Sequence, residues 1–308
     1  MDPMSEPGPA PLLPVLINER AGGGGDGVRR VAEALRDAGV PAVVRPVDPP
    51  RLAAAVARAA ERAAERAPVV GVCGGDGTLR TAAGVLAGSH TALAPFPTGT
   101  LNHFARRLGF ESVEDTARAL AAGRTTTVPV GVADDRVFLN TATFGLYADV
   151  VRRRERLRPW LRKWPAAAVA FTLRIVRMRR LEVVLDVEGE RLRRRTPLVW
   201  VGMGWGSFPR VHQAPEGRGA PELEIVVLRP PGRFGIVSFL ARMGLHLLHG
   251  RRPVRDPALE VLHARRVLVS SRRRVGITLD GEVARLAPPV FVSVRSGALR
   301  VVAPADGG

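Results

Sequence analysis

The stretch Pro-Val-Val-Gly-Val-Cys-Gly-Gly-Asp-Gly-Thr, residues 68–78, decides the predicted fold of this chain. Its first part, Pro68–Cys73, is apolar throughout, which is typical of a short strand buried on both faces of a parallel sheet. The following segment, Leu79–Leu86, has a helical pattern, and Thr78 is its predicted N-cap. The sequence therefore predicts a glycine-rich turn between the carboxyl end of a strand and the start of a helix.

This turn has the composition of a phosphate-binding loop. Gly74, Gly75 and Gly77 allow backbone N–H groups to approach a ligand closely, and the start of a helix carries partial positive charge. An acid is unnecessary for binding phosphate alone, so we expect Asp76 to hold a divalent metal or a ribose hydroxyl. The alternative is a tight glycine turn with a solvated aspartate.

A second loop of the same kind follows the next predicted strand, Ala92–Phe96. It reads Pro97-Thr98-Gly99-Thr100-Leu101-Asn102 and precedes a helical pattern over Asn102–Leu108. Neighbouring loops at the carboxyl ends of strands in a doubly wound sheet open into one crevice. We therefore predict that Thr98 and Thr100 donate their hydroxyls to phosphate oxygens in the same site.

Composition limits the classes of protein and partner. The chain has 308 residues, enough for two domains, and its net charge is +17. Its 46 basic residues are all arginines except for one lysine, Lys163. Such a charge predicts a positive surface for anionic phospholipid, nucleic acid or polyphosphate. Because aromatic residues make up only 5% and no nucleic-acid-binding motif is present, nucleic acid is not the expected partner.

Cysteine content and the chain ends indicate the expected compartment. The single cysteine, Cys73, excludes an internal disulfide framework, and its place in an apolar strand predicts a structural role. Residues 1–11 form a predicted flexible tail, rich in proline and without the basic region of a signal peptide. No apolar stretch reaches transmembrane length. We expect a cytoplasmic protein, peripheral on the inner membrane face.

The predicted architecture changes along the chain. Strands and helices alternate over 12–131, which predicts an α/β domain with a parallel sheet and helices on both faces. Over 132–297 several strands alternate apolar and polar residues, which predicts an antiparallel β-sandwich, and 298–308 add a terminal strand and tail. The main predicted elements outside the two loops are strands Leu12–Ile17, Ala42–Val47, Thr126–Val130, Val137–Thr141, Leu181–Val187, Leu198–Met203, Leu223–Leu228, Val267–Ser270, Val275–Leu279 and Leu299–Val302, and helices Val28–Ala38, Pro50–Arg66 and Ser112–Ala122.

Two features of the second domain have alternative interpretations. Residues 151–180 are predicted to form a basic helical insertion in which Trp160 and Trp164, four positions apart, would share a face. This pattern fits a helix at a membrane interface and equally a helix packed on its own domain. His246, His249 and His263 lack an acid or thiol at metal-ligand spacing, so we interpret them as ordinary core or surface histidines.

The motifs together resemble a known family. Asp280-Gly281-Glu282 follows the strand Val275–Leu279 and is, taken alone, a hairpin turn. With the two loops and Asn140–Asp149 it occurs in the order seen in the diacylglycerol kinase catalytic family, which includes bacterial lipid kinases, sphingosine kinases and ceramide kinases. The resemblance extends from about Leu12 to Pro304.

The resemblance implies an ATP-dependent lipid kinase with ATP between two domains. It would transfer the γ-phosphoryl group, with Mg²⁺, to the hydroxyl of a lipid such as diacylglycerol or a sphingoid base at an anionic membrane surface. Glu282 would be the general base and Asp76 an essential residue near metal or phosphate. A homodimer is a further expectation. The expected nucleotide-binding residues are Asn18, Gly74, Gly75, Asp76, Gly77, Thr78, Leu79, Arg80, Thr98, Gly99, Thr100 and Asn102.

The chain departs from the family pattern at several positions. Arg80 and Thr81 replace an Asn-Glu pair, His103 replaces an aspartate, and Ala220 replaces an aspartate that helps hold Mg²⁺ outside the phosphate site in bacterial relatives. We expect that ion to be absent or bound differently here, with Glu216 or Glu222 as alternative ligands.

Two other functions remain open. One is a nucleotide-binding regulatory protein of the same fold with impaired catalysis. The other is an enzyme similar to NAD kinases, which share the glycine turn. The segment 97–102 favours the lipid kinases over the NAD kinases.

Overall fold

The chain divides into two compact units, residues 1–130 with 296–308 and residues 131–295. The structure is a computed structural model that describes residues 12–20, 25–63, 68–145, 181–204, 222–229, 242, 258–272 and 274–304. Within the described residues, none of the helices has both the length and the apolar character needed to span a membrane.

The first unit contains a parallel sheet. Its strands are β1 (Leu13–Asn18), β2 (Ala42–Val47), β3 (Val69–Gly74) and β4 (Ala92–Pro97), followed by the carboxyl-terminal part of β16 (Val290–Val302). The order is β2-β1-β3-β4-β16, and each neighbouring pair is parallel. The strands β3 and β4 are almost completely buried, as their apolar sequences require.

Among the residues described for the first unit, five α-helices accompany this sheet. They are α1 (Gly25–Asp37), α2 (Leu52–Arg62), α3 (Asp76–Leu86), α4 (His103–Arg107) and α5 (Val113–Ala122). Local sequence fixes their ends and faces. Ser112 and Asp115 form a capping box at the start of α5, and Gly123 ends that helix with a left-handed backbone. The buried residues of α1, Val31, Ala34 and Leu35, have the spacing of one helix face.

The described part of the second unit contains two antiparallel sheets that share a large apolar core. The strands are β5 (Thr125–Ala133), which begins in the first unit, β6 (Arg136–Phe138), β7 (Thr141–Gly145), β8 (Leu181–Val187), β9 (Glu190–Thr196), β10 (Leu198–Gly202), β11 (Leu223–Leu228), β12 (Leu259–Ala264), β13 (Arg266–Ser271), β14 (Ile277–Leu279), β15 (Glu282–Ala284) and the first part of β16. One sheet has the order β16-β13-β8-β9, with β5 and β6 alongside, and the other has the order β12-β11-β10-β7-β14-β15. Buried apolar residues from both sheets, among them Phe144, Leu185 and Val267, pack in one cluster.

The predicted fold class is confirmed, and the bounds of β2, β8 and β11 agree with the prediction. The predicted N-cap of α3 is wrong, because this helix begins at Asp76 and Gly75 is its N-cap. The predicted strand Val137–Thr141 is also wrong, because the chain bends at Leu139–Asn140 between β6 and β7. Four strands were not predicted, namely β7, β9, β12 and β15.

Several predictions concern residues outside the described ranges. They are the tail 1–11, the helical insertion 151–180, the end of the Asn140–Asp149 motif, Glu216, Ala220, His246 and His249.

An arginine–glutamate pair links the two sheets of the second unit. The guanidinium of Arg194 on β9 donates to both carboxylate oxygens of Glu260 on β12, at 2.8 and 2.7 Å. Arg229 adds a third hydrogen bond at 3.3 Å. Both main partners are about one fifth exposed, at 23% and 20%. The hydrogen bonds from Arg194 are the main reason that the pKa of Glu260 lies below its usual value.

We predict that Glu260→Gln lowers the free energy of unfolding at pH 7 by about 2 kcal/mol. Because the folded-state pKa is lowered, the stabilisation is present above the unfolded pKa of about 4.3 and is lost as pH falls through the folded value. Urea denaturation from pH 7 to pH 3 measures this. The exposed pair Arg195–Glu182 supplies the control, since Glu182→Gln should change stability little. If the loss of unfolding free energy in Glu260→Gln is as large at pH 3 as at pH 7, the prediction is wrong.

Candidate functional site

The carboxyl ends of three neighbouring strands define the candidate site. These are Asn18 on β1, Gly74 on β3 and Pro97 on β4, and Gly74 pairs directly with Pro97. From β1 the chain continues to β2 on one side of β1 and then crosses to β3 on the other side. The strand order therefore has its switch point between β1 and β3. Open α/β sheets bind their ligands at such a switch point.

A buried hydrogen bond joins the end of β1 to the first turn of α3. The amide Nδ2 of Asn18 donates to Thr78 Oγ1 at 2.8 Å, and Asn18 Oδ1 accepts from the backbone N–H of Arg20 at 3.0 Å. Both side chains are nearly buried, at 9% and 7% exposure. The sequence predicted both residues for the site, and the structure places them together at the switch point.

Close packing explains two of the loop glycines. A Cβ on Gly74 would lie 2.4 Å from the side chain of Thr78, and a Cβ on Gly99 would lie 2.4 Å from Gly75 Cα. The two loops therefore touch backbone to backbone at Gly75 and Gly99. Their glycines are needed for this contact within the protein, in addition to any approach of a ligand.

The carboxylate of Asp76 fastens the second loop to the first. Its oxygens accept hydrogen bonds from the backbone N–H groups of Phe104 at 2.9 Å and His103 at 3.1 Å. These N–H groups are the first two of α4, so Asp76 caps that helix from another helix. The predicted metal or ribose contact of Asp76 stays a prediction, and the carboxylate now has a positioning role that the sequence did not reveal.

The second loop is closed by its own asparagine. Asn102 Oδ1 accepts from the N–H of Gly99 and Asn102 Nδ2 donates to the carbonyl of Gly99, both at 2.9 Å. Asn102 has a left-handed backbone, with φ of 51°, and is the N-cap residue of α4. Among the described residues the buried hydroxyl of Thr98 has no hydrogen-bond partner, whereas Thr100 is exposed. Thr98 is therefore the stronger candidate for an inward-facing ligand contact.

The remaining predicted residues of α3 differ in surroundings. Leu79 is fully buried and its N–H donates to the carbonyl of Gly75 at 3.0 Å, so it belongs to the core and the helix ladder. Gly77 lies in the first turn, whose N–H groups point out of the helix. Arg80 is half-buried, with a buried Nε.

Burial raises the pKa of the Cys73 thiol on β3, which agrees with its predicted structural role.

In the second unit, Glu282 follows a tight hairpin turn. Asp280 and Gly281, with φ of 48° and 83°, connect β14 to β15, and Glu282 is the exposed first residue of β15. The hairpin interpretation of this motif is thus confirmed. The general-base role of Glu282 and its approach to the first unit stay predictions.

Asp280 anchors this hairpin, a role that sequence reasoning missed. Its carboxylate accepts the backbone N–H groups of Leu139, Asn140 and Thr141 at 2.8, 2.7 and 2.9 Å. These bonds explain the bend between β6 and β7. The Asp-Gly pair signalled the turn, but the residues that its carboxylate binds lie about 140 positions earlier in the chain.

The described side chains that could bind a metal are not arranged to hold a magnesium ion. Among the described residues, no three His, Cys, Asp or Glu side chains are grouped closely enough to hold a metal. Mg²⁺ prefers several oxygen ligands, and Asp76 directs its oxygens to the amides of α4.

Comparisons with known proteins agree with this geometry. Residues 13–133 match the diacylglycerol kinase catalytic domain. A Pseudomonas putida protein named "Probable lipid kinase YegS-like" is 34% identical over 137 residues, which cover 43% of this chain and 45% of that protein. A protein of the same name from Pseudomonas aeruginosa strain UCBPP-PA14 is 35% identical over 141 residues, 45% of each chain. The match thus spans less than half the length of these relatives.

Solved structures extend the likeness to both units. A crystal structure of a diacylglycerol kinase from Bacillus anthracis strain Sterne has a TM-score of 0.66 and 17% identity, and the match covers 96% of this chain and 97% of that one. At this identity the likeness supports the fold alone.

The fold and the strand-end loops define the first unit as a parallel α/β domain with a candidate site at its switch point. Through residues 13–133 this unit is similar to the diacylglycerol kinase catalytic domain.

The contact between Gly75 and Gly99 makes a prediction about stability. Gly99→Ala places a Cβ against the Gly75 backbone and should destabilise the first unit by about 1–3 kcal/mol. Gly84→Ala on α3 is the matched control, because its Cβ meets nothing within 4 Å. That change should stabilise the protein by about 0.5–1 kcal/mol. Thermal unfolding of both variants measures the difference, and equal melting temperatures would contradict the close contact.

Proposed function

We propose that the chain is an ATP-dependent lipid kinase that transfers the γ-phosphoryl group to a lipid hydroxyl. The observation that carries this proposal is the convergence of Asn18, Thr78, Gly75 and Gly99 at the switch point of a diacylglycerol kinase catalytic domain. The name of the two Pseudomonas relatives, probable lipid kinase, supports the class of acceptor. The lipid itself stays open between diacylglycerol and a sphingoid base.

The roles in the first unit follow from its geometry. The N–H groups in the first turn of α3 bind the phosphates, since they point toward the strand ends and carry the positive end of the helix dipole. Asn18 holds Thr78 in place, and Asp76 holds the second loop against the first. Rigid positioning of this kind matters because phosphoryl transfer depends mainly on orientation and charge stabilisation.

Glu282 is the proposed general base in the second unit. Its exposed carboxylate would accept the proton of the attacking lipid hydroxyl, and the Asp280 anchor would hold the hairpin that carries it. The lipid substrate would lie in an anionic membrane surface, which suits the net charge of +17. A cytoplasmic location with peripheral membrane binding and a homodimer belong to the same proposal.

A catalytically impaired regulatory protein is the second candidate. It is favoured by the carboxylate of Asp76, which binds α4, and by the replacement of expected acids at Thr81 and His103. ATP would then raise the melting temperature of the protein without any transfer of phosphate. The relatives and the solved structure named above are lipid kinases or a diacylglycerol kinase by name, and none of them is named a NAD kinase.

We predict that Glu282→Gln lowers the turnover number about 100-fold or more while the fold and ATP binding persist, because only the proton acceptor is lost. The measurement is transfer from radiolabelled ATP to diacylglycerol, monoacylglycerol, a sphingoid base or an isoprenoid alcohol in anionic vesicles. Glu190→Gln, at another exposed glutamate of the second unit, is the control and should retain activity. Full turnover by Glu282→Gln would exclude it as the base, and no transfer by the wild type would favour the regulatory candidate.

A further inference from the structure

One face of the sheet β16-β13-β8-β9 points away from the apolar core of the second unit. Val183, Val267 and Val292 belong to that core. Because successive side chains of a strand alternate between the two faces of a sheet, the residues next to these valines lie on the opposite face. We call this opposite face the outer face, and its central members are Phe291, Leu268, Val184, Arg191, Arg193 and Arg195.

An apolar strip crosses the outer face. Phe291 on β16 lies directly opposite Leu268 on β13, and Val184 on β8 lies in the next row of the sheet. The side chain of Phe291 is 44% exposed, and Leu268 and Val184 are half-buried. Single exposed apolar residues are ordinary on a protein surface, but adjoining ones with an exposed aromatic ring mark a contact surface.

Exposed arginines border this strip. Arg191, Arg193 and Arg195 alternate along β9 on the outer face, and Arg266 lies on the same face of β13. The register places Arg193 directly opposite Val184, so its guanidinium group is next to the apolar strip. The outer face therefore combines an apolar centre with a basic border.

The ion pairs of these arginines are weak. Three of the four have an acid at 3.5–3.6 Å, in the pairs Arg191–Asp186, Arg195–Glu182 and Arg266–Glu188. The arginine side chains in these pairs are 81%, 74% and 65% exposed, and exposed pairs contribute little to stability. Among the described residues Arg193 has no acid as a partner. All four guanidinium groups can therefore turn to an external anion at little cost.

We propose that the outer face docks the protein on an anionic phospholipid bilayer. The arginines bind lipid phosphates, their apolar stems lie along the strip, and the ring of Phe291 enters the interface between headgroups and acyl chains. Charge complementarity favours an anionic surface, and the apolar centre favours a bilayer over nucleic acid. This inference rests on the proposed function, because a kinase of a membrane lipid has to reach the bilayer.

Co-sedimentation of the full chain with vesicles, without ATP, tests the proposal. The wild type should bind phosphatidylcholine vesicles that contain about 30% phosphatidylglycerol, and it should not bind pure phosphatidylcholine. Added salt should weaken the binding, because it screens exposed charges. Arg193→Glu and Phe291→Ser should each lower the partition constant about tenfold or more. Arg193→Lys keeps the charge and should stay within about threefold of the wild type.

Two matched variants control for general effects of charge and hydrophobicity. Arg58→Glu makes the same charge reversal at an exposed arginine of α2, and Leu12→Ser removes an apolar side chain of the first unit that is 55% exposed. Both should bind vesicles within about threefold of the wild type, because neither residue lies on the outer face. Melting temperatures close to that of the wild type verify that every variant is folded.

The outcomes separate the docking face from the proposed function. Equal vesicle binding by Arg193→Glu, Phe291→Ser and the wild type would overturn the docking face and leave the proposed kinase standing. Two results without vesicle binding would also overturn it, namely a dimer in sedimentation velocity that Phe291→Ser dissociates, and retention on DNA that Arg193→Glu abolishes. Vesicle binding that depends on the outer face, with no lipid phosphorylated by the wild type, would support the docking face and contradict the proposed kinase.

Discussion

The structure of the candidate site depends on the two hydrogen bonds that Asp76 accepts from the first amides of α4. They connect the start of one helix to the start of the next, and so they set the distance between the two strand-end loops. The backbone contact of Gly75 with Gly99 is possible only at that distance. With these contacts the two loops are connected into one edge beside Asn18 and Thr78, where a phosphate would meet the amides at the start of α3.

In the second unit an aspartate carboxylate also accepts backbone N–H groups from a distant segment. Asp280 binds three consecutive amides of 139–141, and this carboxylate fixes both the bend between β6 and β7 and the hairpin before Glu282. In both units an aspartate of a conspicuous glycine motif orders a distant piece of backbone. An aspartate in such a motif can therefore be required for the shape of a site, and loss of activity on its mutation does not by itself assign a chemical role.

Sequence reasoning was successful where the signal was local. The apolar strands β3 and β4, with their glycine-rich ends, predicted the sheet and the pair of loops, and β2, β8 and β11 were predicted with their observed bounds. It failed where tertiary contacts decide. Four of the seven residues of β9 are arginines, and this polar strand is stabilised by pairing with β8 and by the Arg194–Glu260 link, which no local pattern reveals. The capping role of Asp76 depends on amides 27 and 28 positions away, so the sequence indicated only an acid in need of a partner.

Hydrogen–deuterium exchange of the wild-type chain with and without AMP-PNP tests most directly whether the strand-end edge is the nucleotide site. If it is, bound nucleotide slows exchange in peptides that cover Gly75–Arg80 and Thr98–Phe104, because their amides become bonded or enclosed. Protection elsewhere in the chain, with unchanged exchange in these two loops, would contradict the account.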